Sequence, residues 1–182
     1  MEDRNFFEHS GVSFQSLARA VIVNMMTLSR RQGASTITQQ LARNMYNTIG
    51  FEKTYTRKLK ELITSINIEQ TYTKTQIMEL YLNSVYFGHG TYGVQAASNQ
   101  YFGKDISDLQ LDESAILIGL LPAPARYSPI RHQDRALIRR NLVLRVMKEQ
   151  GYIEENKYKF VVKKDLPLKQ FEKDDGIASY FT

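Results

Sequence analysis

Three groups of residues in this chain have types and spacings that can do chemistry. Near the start, Glu2 and Asp3 precede Phe6, Phe7 and His9 in the string EDRNFFEH. A carboxylate beside an apolar aromatic wall is disfavoured in its charged form, so its pKa moves toward neutrality and it can serve as an acid or base. The plainer reading is solvated end residues with His9 as a turn former. The second group lies in residues 32–47, QGASTITQQLARNMYN. At about 100° per residue, Thr36, Gln39, Gln40, Arg43 and Asn47 share one side of a helix, and Ile37, Leu41 and Met45 share the other. Neutral hydrogen-bonders with one fixed cation and no acid suit a polar, anionic ligand. A polar surface helix is the competing reading, although such faces usually mix Lys with Glu. The third group is Arg57, Lys58 and Glu61. It is either an ordinary surface ion pair four residues apart or a carboxylate and two cations facing a cleft.

The elements that must hold these groups follow from periodicity and punctuation. Gly33-Ala34 reads as a turn and Ser35 as the N-cap of the central helix. That places free N–H donors and a partial positive charge at residues 33–36. Before it, residues 14–28 carry Phe14, Leu17, Ala18, Val21, Ile22, Met25 and Met26 at helical spacing and close on Arg30-Arg31. This is a core helix or a segment lying at a lipid headgroup boundary. A polar loop over 48–54 leads to a helix over 56–69, with Leu59, Leu62, Ile63 and Ile66 as its buried stripe. Thr73 and Gln76 form a capping box for a helix to residue 83. Residues 85–93 read as an aromatic loop with three glycines, without the GxGxxG spacing of a nucleotide loop. A short helix over 94–101 ends at Gly103. An apolar helix over 112–121 stops at Pro122 and Pro124. The last long helix spans 133–150 with Gly151 after it, and its Arg135, Arg139, Arg140 and Arg145 read as a solvated face. Beyond residue 160 the chain is charged and poorly periodic, as a linker would be. About seven helices and no strand pair give an all-α class.

Composition narrows the partners. The chain has 182 residues and a formal charge of +5, a size for one domain and a balance that favours an anionic partner. With no cysteine and three histidines, disulfides and thiolate metal sites are excluded and a zinc centre is disfavoured. No apolar run reaches the ~20 residues of a spanning helix, and no signal peptide or repeat is present. Met1 reads as a start residue placed on a cut fragment, with an upstream segment lost.

EDRNFFEHSG, GASTITQQLARN, RKLKE, KTQIMELYLN and the RYSP turn stand in one order along the chain. Together they resemble the five motifs of the peptidoglycan glycosyltransferase domain, glycosyltransferase family 51, of bifunctional class A penicillin-binding proteins and monofunctional transglycosylases. The resemblance implies a lysozyme-like, two-lobed helical domain over residues 1–159, with a membrane-associated jaw falling on residues 20–26. Residues 160–182, ending GIASYFT, look like a linker toward a transpeptidase-like region. The resemblance implies polymerisation of lipid II into β-1,4 glycan with inversion and loss of undecaprenyl pyrophosphate, at the outer face of the bacterial cytoplasmic membrane. Glu2 and Glu61 match the family's two catalytic glutamates: the base, and a second whose role is to orient groups near the pyrophosphate or to help hold a divalent ion. Asp3, Phe6 and His9 match positions that shape the site. Ser35, Thr36, Gln39, Gln40 and Arg43 match the donor-site motif, with Arg43 where Lys is common. Arg57 and Lys58 match cations near the leaving group. A divalent cation (Mg or Mn) is an expected helper; no organic cofactor is. The implied partners are lipid II, the growing glycan, the membrane surface and cell-wall synthesis proteins, not nucleic acid.

Two rival readings are kept. A lysozyme-like glycan hydrolase shares a helical fold and a catalytic Glu, but has no pyrophosphate to stabilise. A basic helical module that binds nucleic acid or anionic membrane predicts salt-sensitive binding without turnover and leaves the Thr/Gln stripe unexplained.

Overall fold

The computed structural model describes residues 2–3, 5–11, 35–45 and 55–168. The expected helix over 14–28 with its jaw, the Gly33-Ala34 turn, the loop over 48–54 and the GIASYFT tail lie outside the described residues. The chain divides into two compact units, residues 1–94 and 95–182. Both are built mainly from helices, as the periodicity predicts, and no helix among the described residues is long and apolar enough to cross a membrane.

In the first unit, helix α1 (Ile37–Met45) packs against α2 (Tyr55–Thr71) and α3 (Lys74–Ser84). The cap of α1 is Thr36, not Ser35: the Thr36 hydroxyl accepts from the Gln39 backbone N–H at 3.2 Å. Either hydroxyl can cap, and a tertiary contact decides, because the Ser35 hydroxyl is taken by Lys58 Nζ at 2.9 Å. Ile37 and Leu41 are buried as expected, but Met45 is 42% exposed, and Ala42 with Thr36 and Gln39 of the polar side are buried as well.

Helix α2 departs from the expected pattern. Leu59, Ile63 and Ile66 are exposed, while Glu61, Ser65 and Ile68 are buried. Both sets have helical period. The polar set turns inward because Glu61 finds cations there. Thr73 and Gln76 form the expected capping box at the start of α3, with the Thr73 N–H donating to Gln76 Oε1 at 2.9 Å.

The aromatic loop is a small antiparallel ribbon, which corrects the expectation of no strand pair. Strands β1 (Tyr86–Gly88) and β2 (Thr91–Tyr92) pair Tyr86 with Tyr92 and Gly88 with Thr91. Their tyrosine rings stand 4.9 Å apart, a cross-strand aromatic pair. Gly93 follows at φ 83°, and a Cβ there would lie 2.7 Å from the Asn83 carbonyl oxygen. Only glycine fits this exit.

The second unit contains α4 (Val94–Phe102), whose first residue is at the boundary, α5 (Leu111–Leu120), α6 (Pro124–Tyr127), α7 (Gln133–Glu149) and α8 (Glu155–Val161). Its core joins Ala115, Val143, Leu144 and Val161. The apolar helix α5 is buried over most of its length and is capped by Glu113, whose Oε2 accepts from the Gln110 N–H at 2.8 Å.

Arg140 corrects the expectation of a solvated arginine face on α7. It is 0% exposed, and its guanidinium donates to the carbonyls of Val162 at 3.1 Å, Lys164 at 2.8 Å and Asp165 at 3.3 Å. Burial pulls its pKa down, and Asp112 and Asp165 oppose that. Helix α8 runs through the point where a linker was expected to begin, and the carbonyls bonded to Arg140 follow it.

Candidate active site

The first unit assembles a cationic cluster around Glu61. The Glu61 side chain is fully buried. Its Oε1 meets Arg57 Nη1 and, at 3.2 Å, Arg43 Nε; its Oε2 accepts from Lys58 Nζ at 3.0 Å. The Arg57 and Lys58 contacts follow from helical spacing within α2, while Arg43 arrives from α1. Lys58 also donates to Ser35 Oγ at 2.9 Å and Gln39 Oε1 at 3.1 Å. A lysine ammonium has three donors, and all three are used, so Lys58 ties the start of α1 to α2. Three cations against one carboxylate leave a net positive cluster.

The first motif packs onto this framework. Asp3 accepts from the Ile37 backbone N–H at 3.1 Å, so its carboxylate sits at the N-terminus of α1, where a negative charge is favoured. The same carboxylate pairs with His9 Nε2 at 2.9 Å, while His9 Nδ1 has no hydrogen-bond partner among the described residues. Gly11, at φ 84°, lies against α2, where a Cβ would come within 3.0 Å of the Ser65 carbonyl oxygen. The Gly11 carbonyl accepts from the Thr36 hydroxyl at 2.7 Å. Phe6 is buried, with Phe7 edge-on at 5.1 Å, His9 at 6.3 Å and Lys74 Nζ 4.5 Å from its ring centre. Glu2 itself is exposed. Phe7 is 70% exposed, and the Phe6 ring faces His9 and Lys74, so the expected enclosing wall around Glu2 is not formed by that pair.

All the expected residues described here fall in one unit. Ser35, Gln39, Arg43, Arg57, Lys58 and Glu61 form one bonded cluster, and Asp3, His9 and Thr36 form the collar at the start of α1. Three residues outside the expected site join it. Glu69 accepts from Thr38 at 2.5 Å and from Lys74 at 2.8 Å. Lys74 also donates to the His9 carbonyl at 2.5 Å, and Tyr81 donates its hydroxyl to Gln40 Oε1 at 3.2 Å. Lys74 and Tyr81 lie within the KTQIMELYLN motif, but nothing in their spacing distinguishes them from ordinary helix residues. Burial, then the charge of Glu2, raises the pKa of the Tyr81 phenol well above its usual value. Glu2 therefore lies within electrostatic reach of Tyr81.

The donor set does not fit a divalent ion held by Glu61, because both of its oxygens already bind cations. Among the described residues no group of three or more His, Asp or Glu side chains comes together as a metal site would require.

The arrangement is therefore a cationic cluster on one buried carboxylate, with the carboxylate of Glu2 exposed in the same unit, and this suits transfer with an anionic leaving group. The chain belongs to the transglycosylase family, whose model matches residues 1–148. It is 51% identical over 180 residues to penicillin-binding protein 1A of Aquifex aeolicus, covering 99% of this chain and 24% of that protein. It is 47% identical to penicillin-binding protein 1F of Bacillus subtilis, covering 84% of this chain and 21% of that protein. The crystal structure of penicillin-binding protein 1A from Haemophilus influenzae matches at 32% identity with a TM-score of 0.52, over 75% of this chain and 17% of that one. The chain thus spans about a quarter or less of the length of these relatives. It carries the peptidoglycan transglycosylase domain that its motifs imply.

Proposed function

We propose that this domain polymerises lipid II, with the growing glycan as donor and lipid II as acceptor. The observation that carries the reading is the cluster of Arg43, Arg57 and Lys58 on one buried carboxylate. A pyrophosphate leaving from an anomeric carbon develops negative charge, and fixed cations stabilise it in the transition state. Glu61 holds those cations in place; with both oxygens occupied it acts by orientation, not by proton transfer. The exposed carboxylate of Glu2 takes the proton from the acceptor's 4-hydroxyl as that oxygen attacks the donor's anomeric carbon. The bond to the pyrophosphate oxygen breaks, its electron pair leaves with undecaprenyl pyrophosphate, and the α-linked donor becomes a β-1,4 product. No covalent enzyme intermediate is needed. Gln40, half-buried on the same helix, offers a neutral hydrogen bond to the donor, while Thr36 and Gln39 are buried and hold the framework behind it.

The natural setting of this chemistry is the outer face of the bacterial cytoplasmic membrane, where the polyprenyl tail is anchored and where the apolar sequence of residues 20–26 suits contact with lipid. Other cell-wall synthesis proteins are natural partners there. Labelled lipid II in detergent tests the reading, with wild type beside Glu2→Gln. Long glycan from the wild type and loss of nearly all rate in the variant, with substrate binding kept, is the expected result. A folded wild type that makes no glycan, or that cuts finished glycan instead, would overturn it.

A further inference from the structure

Tyr81 has no part in the chemistry above, yet it touches the face that performs it. It is 2% exposed on α3, and its hydroxyl reaches across to α1 to donate to Gln40 Oε1 at 3.2 Å. Gln40 is half-buried, and its Nε2 makes no hydrogen bond among the described residues. A carboxamide has an acceptor end and a donor end that exchange by a half-turn about its last bond. A bond to one end therefore decides what the other end offers. A neutral phenol donating to Oε1 leaves the NH2 group as the free end. Burial, assisted by the negative charge of Glu2, keeps the phenol neutral and able to donate. Tyr81 thus feels the charge of the carboxylate assigned as base and is bonded to a residue assigned to the donor.

We propose that Tyr81 is a positioning residue for glycosyl transfer: by holding Gln40 Oε1 it presents Gln40 Nε2 as a hydrogen-bond donor to an oxygen of the bound saccharide pyrophosphate. The role rests on the lipid II reading. Without the hydroxyl, Gln40 is free to turn its oxygen toward the substrate oxygen, and a hydrogen bond becomes a repulsion. The expected size of the effect is that of one hydrogen bond in a site that excludes water, about tenfold in kcat/KM.

The test is a double-mutant cycle in the whole chain, with glycan synthesis from lipid II as the rate measurement. Tyr81→Phe and Gln40→Ala each lower kcat/KM about tenfold, and the double variant loses no more than either alone. Gln40→Glu keeps an acceptor for Tyr81 but has no donor end, and it falls as far as Gln40→Ala. A merely structural tyrosine would lower the rate on the Gln40→Ala background as well, and would lower the melting temperature in parallel. Additive losses, or an unchanged rate in Tyr81→Phe, would overturn the proposal. A second reading needs no substrate. The side-chain amide resonance of Gln40, assigned by its absence in Gln40→Ala, shifts in Tyr81→Phe if the bond exists, and an unshifted resonance also overturns the proposal. A folded wild type that makes no glycan removes the transfer role together with the lipid II reading, while a shifted amide resonance would show that the bond itself survives.

Discussion

Glu61 shows how far a single residue can be read. Its spacing from Arg57 and Lys58 makes an ion pair legible, but the sequence offered a surface pair and a cleft with equal ease. Burial decides: a carboxylate with 0% exposure and three cations is a scaffold for positive charge. Removing its charge leaves the cations to repel one another in a partly desolvated place. Glu61→Gln is therefore expected to lower stability by about 3 kcal/mol and to cut glycan synthesis at least a hundredfold; denaturant unfolding and a lipid II assay check the two parts. Tyr81 gives a pH prediction. Its phenol has a raised pKa in the folded chain, so the associated stability is complete below the unfolded value of about 10 and is lost as pH rises toward the folded value. Tyr81→Phe should flatten the alkaline limb of the stability profile, measured by thermal melts between pH 8 and pH 11 at roughly constant ionic strength. The neighbouring hydroxyls of Ser35 and Thr36 mark a limit of sequence reading. Both can cap, and only the lysine arriving from another helix assigns one to the cap and the other to the cluster.

At the scale of elements, α2 is the instructive case. Its periodicity carries two stripes, one apolar and one polar, and the sequence rule that apolar faces turn inward picks the wrong one. The rule fails because α1 presents Arg43 and Gln39 to α2, and a partly charged interface takes the partly charged stripe. The difference is measurable. Ile63→Gln on the exposed stripe should change stability by less than about 0.5 kcal/mol, whereas Ile68→Ala on the buried one should cost about 2–4 kcal/mol; chemical denaturation distinguishes the two. The ribbon at β1 and β2 was hidden for another reason: strands of three and two residues are too short to show alternation. What punctuates it is glycine. Gly93→Ala must place a methyl group against the Asn83 carbonyl in a left-handed backbone conformation, and a loss of about 2 kcal/mol or more is expected, read from the melting temperature. The longer helices of the second unit, α4, α5 and α7, were the most legible, whereas the short α6 and α8 were not read as helices. Long apolar spacing, a proline stop and a C-terminal glycine all act locally and agree with one another.

The whole molecule joins two units of different character. The first joins an apolar core that includes Leu41, Ile77 and Phe87 to a buried charged cluster, and the second packs aliphatic side chains around one buried guanidinium. The class of fold and the five motifs were legible because each is local or ordered along the chain. The partners of Arg140 were not, because they are backbone carbonyls, which carry no sequence signal. A net charge of +5 acts on the molecule as a whole. Binding to vesicles of anionic lipid should weaken as salt rises from ~0.05 M to ~0.5 M, as the Debye length falls below the size of a headgroup; a co-sedimentation series checks this, and salt-independent binding would assign the contact to apolar insertion alone.

The carbonyls around Arg140 also set a rule for anyone who shortens the chain. A domain cut after residue 159, where the resemblance ends it, would remove Val162, Lys164 and Asp165 and leave the buried guanidinium with Asn141 Oδ1 in place of three carbonyls. The stopping point that physics recommends is no earlier than Asp165, six residues later than the boundary the resemblance implies. Of two fragments, one ending at 159 and one at 165, the shorter should aggregate on expression or melt many degrees lower.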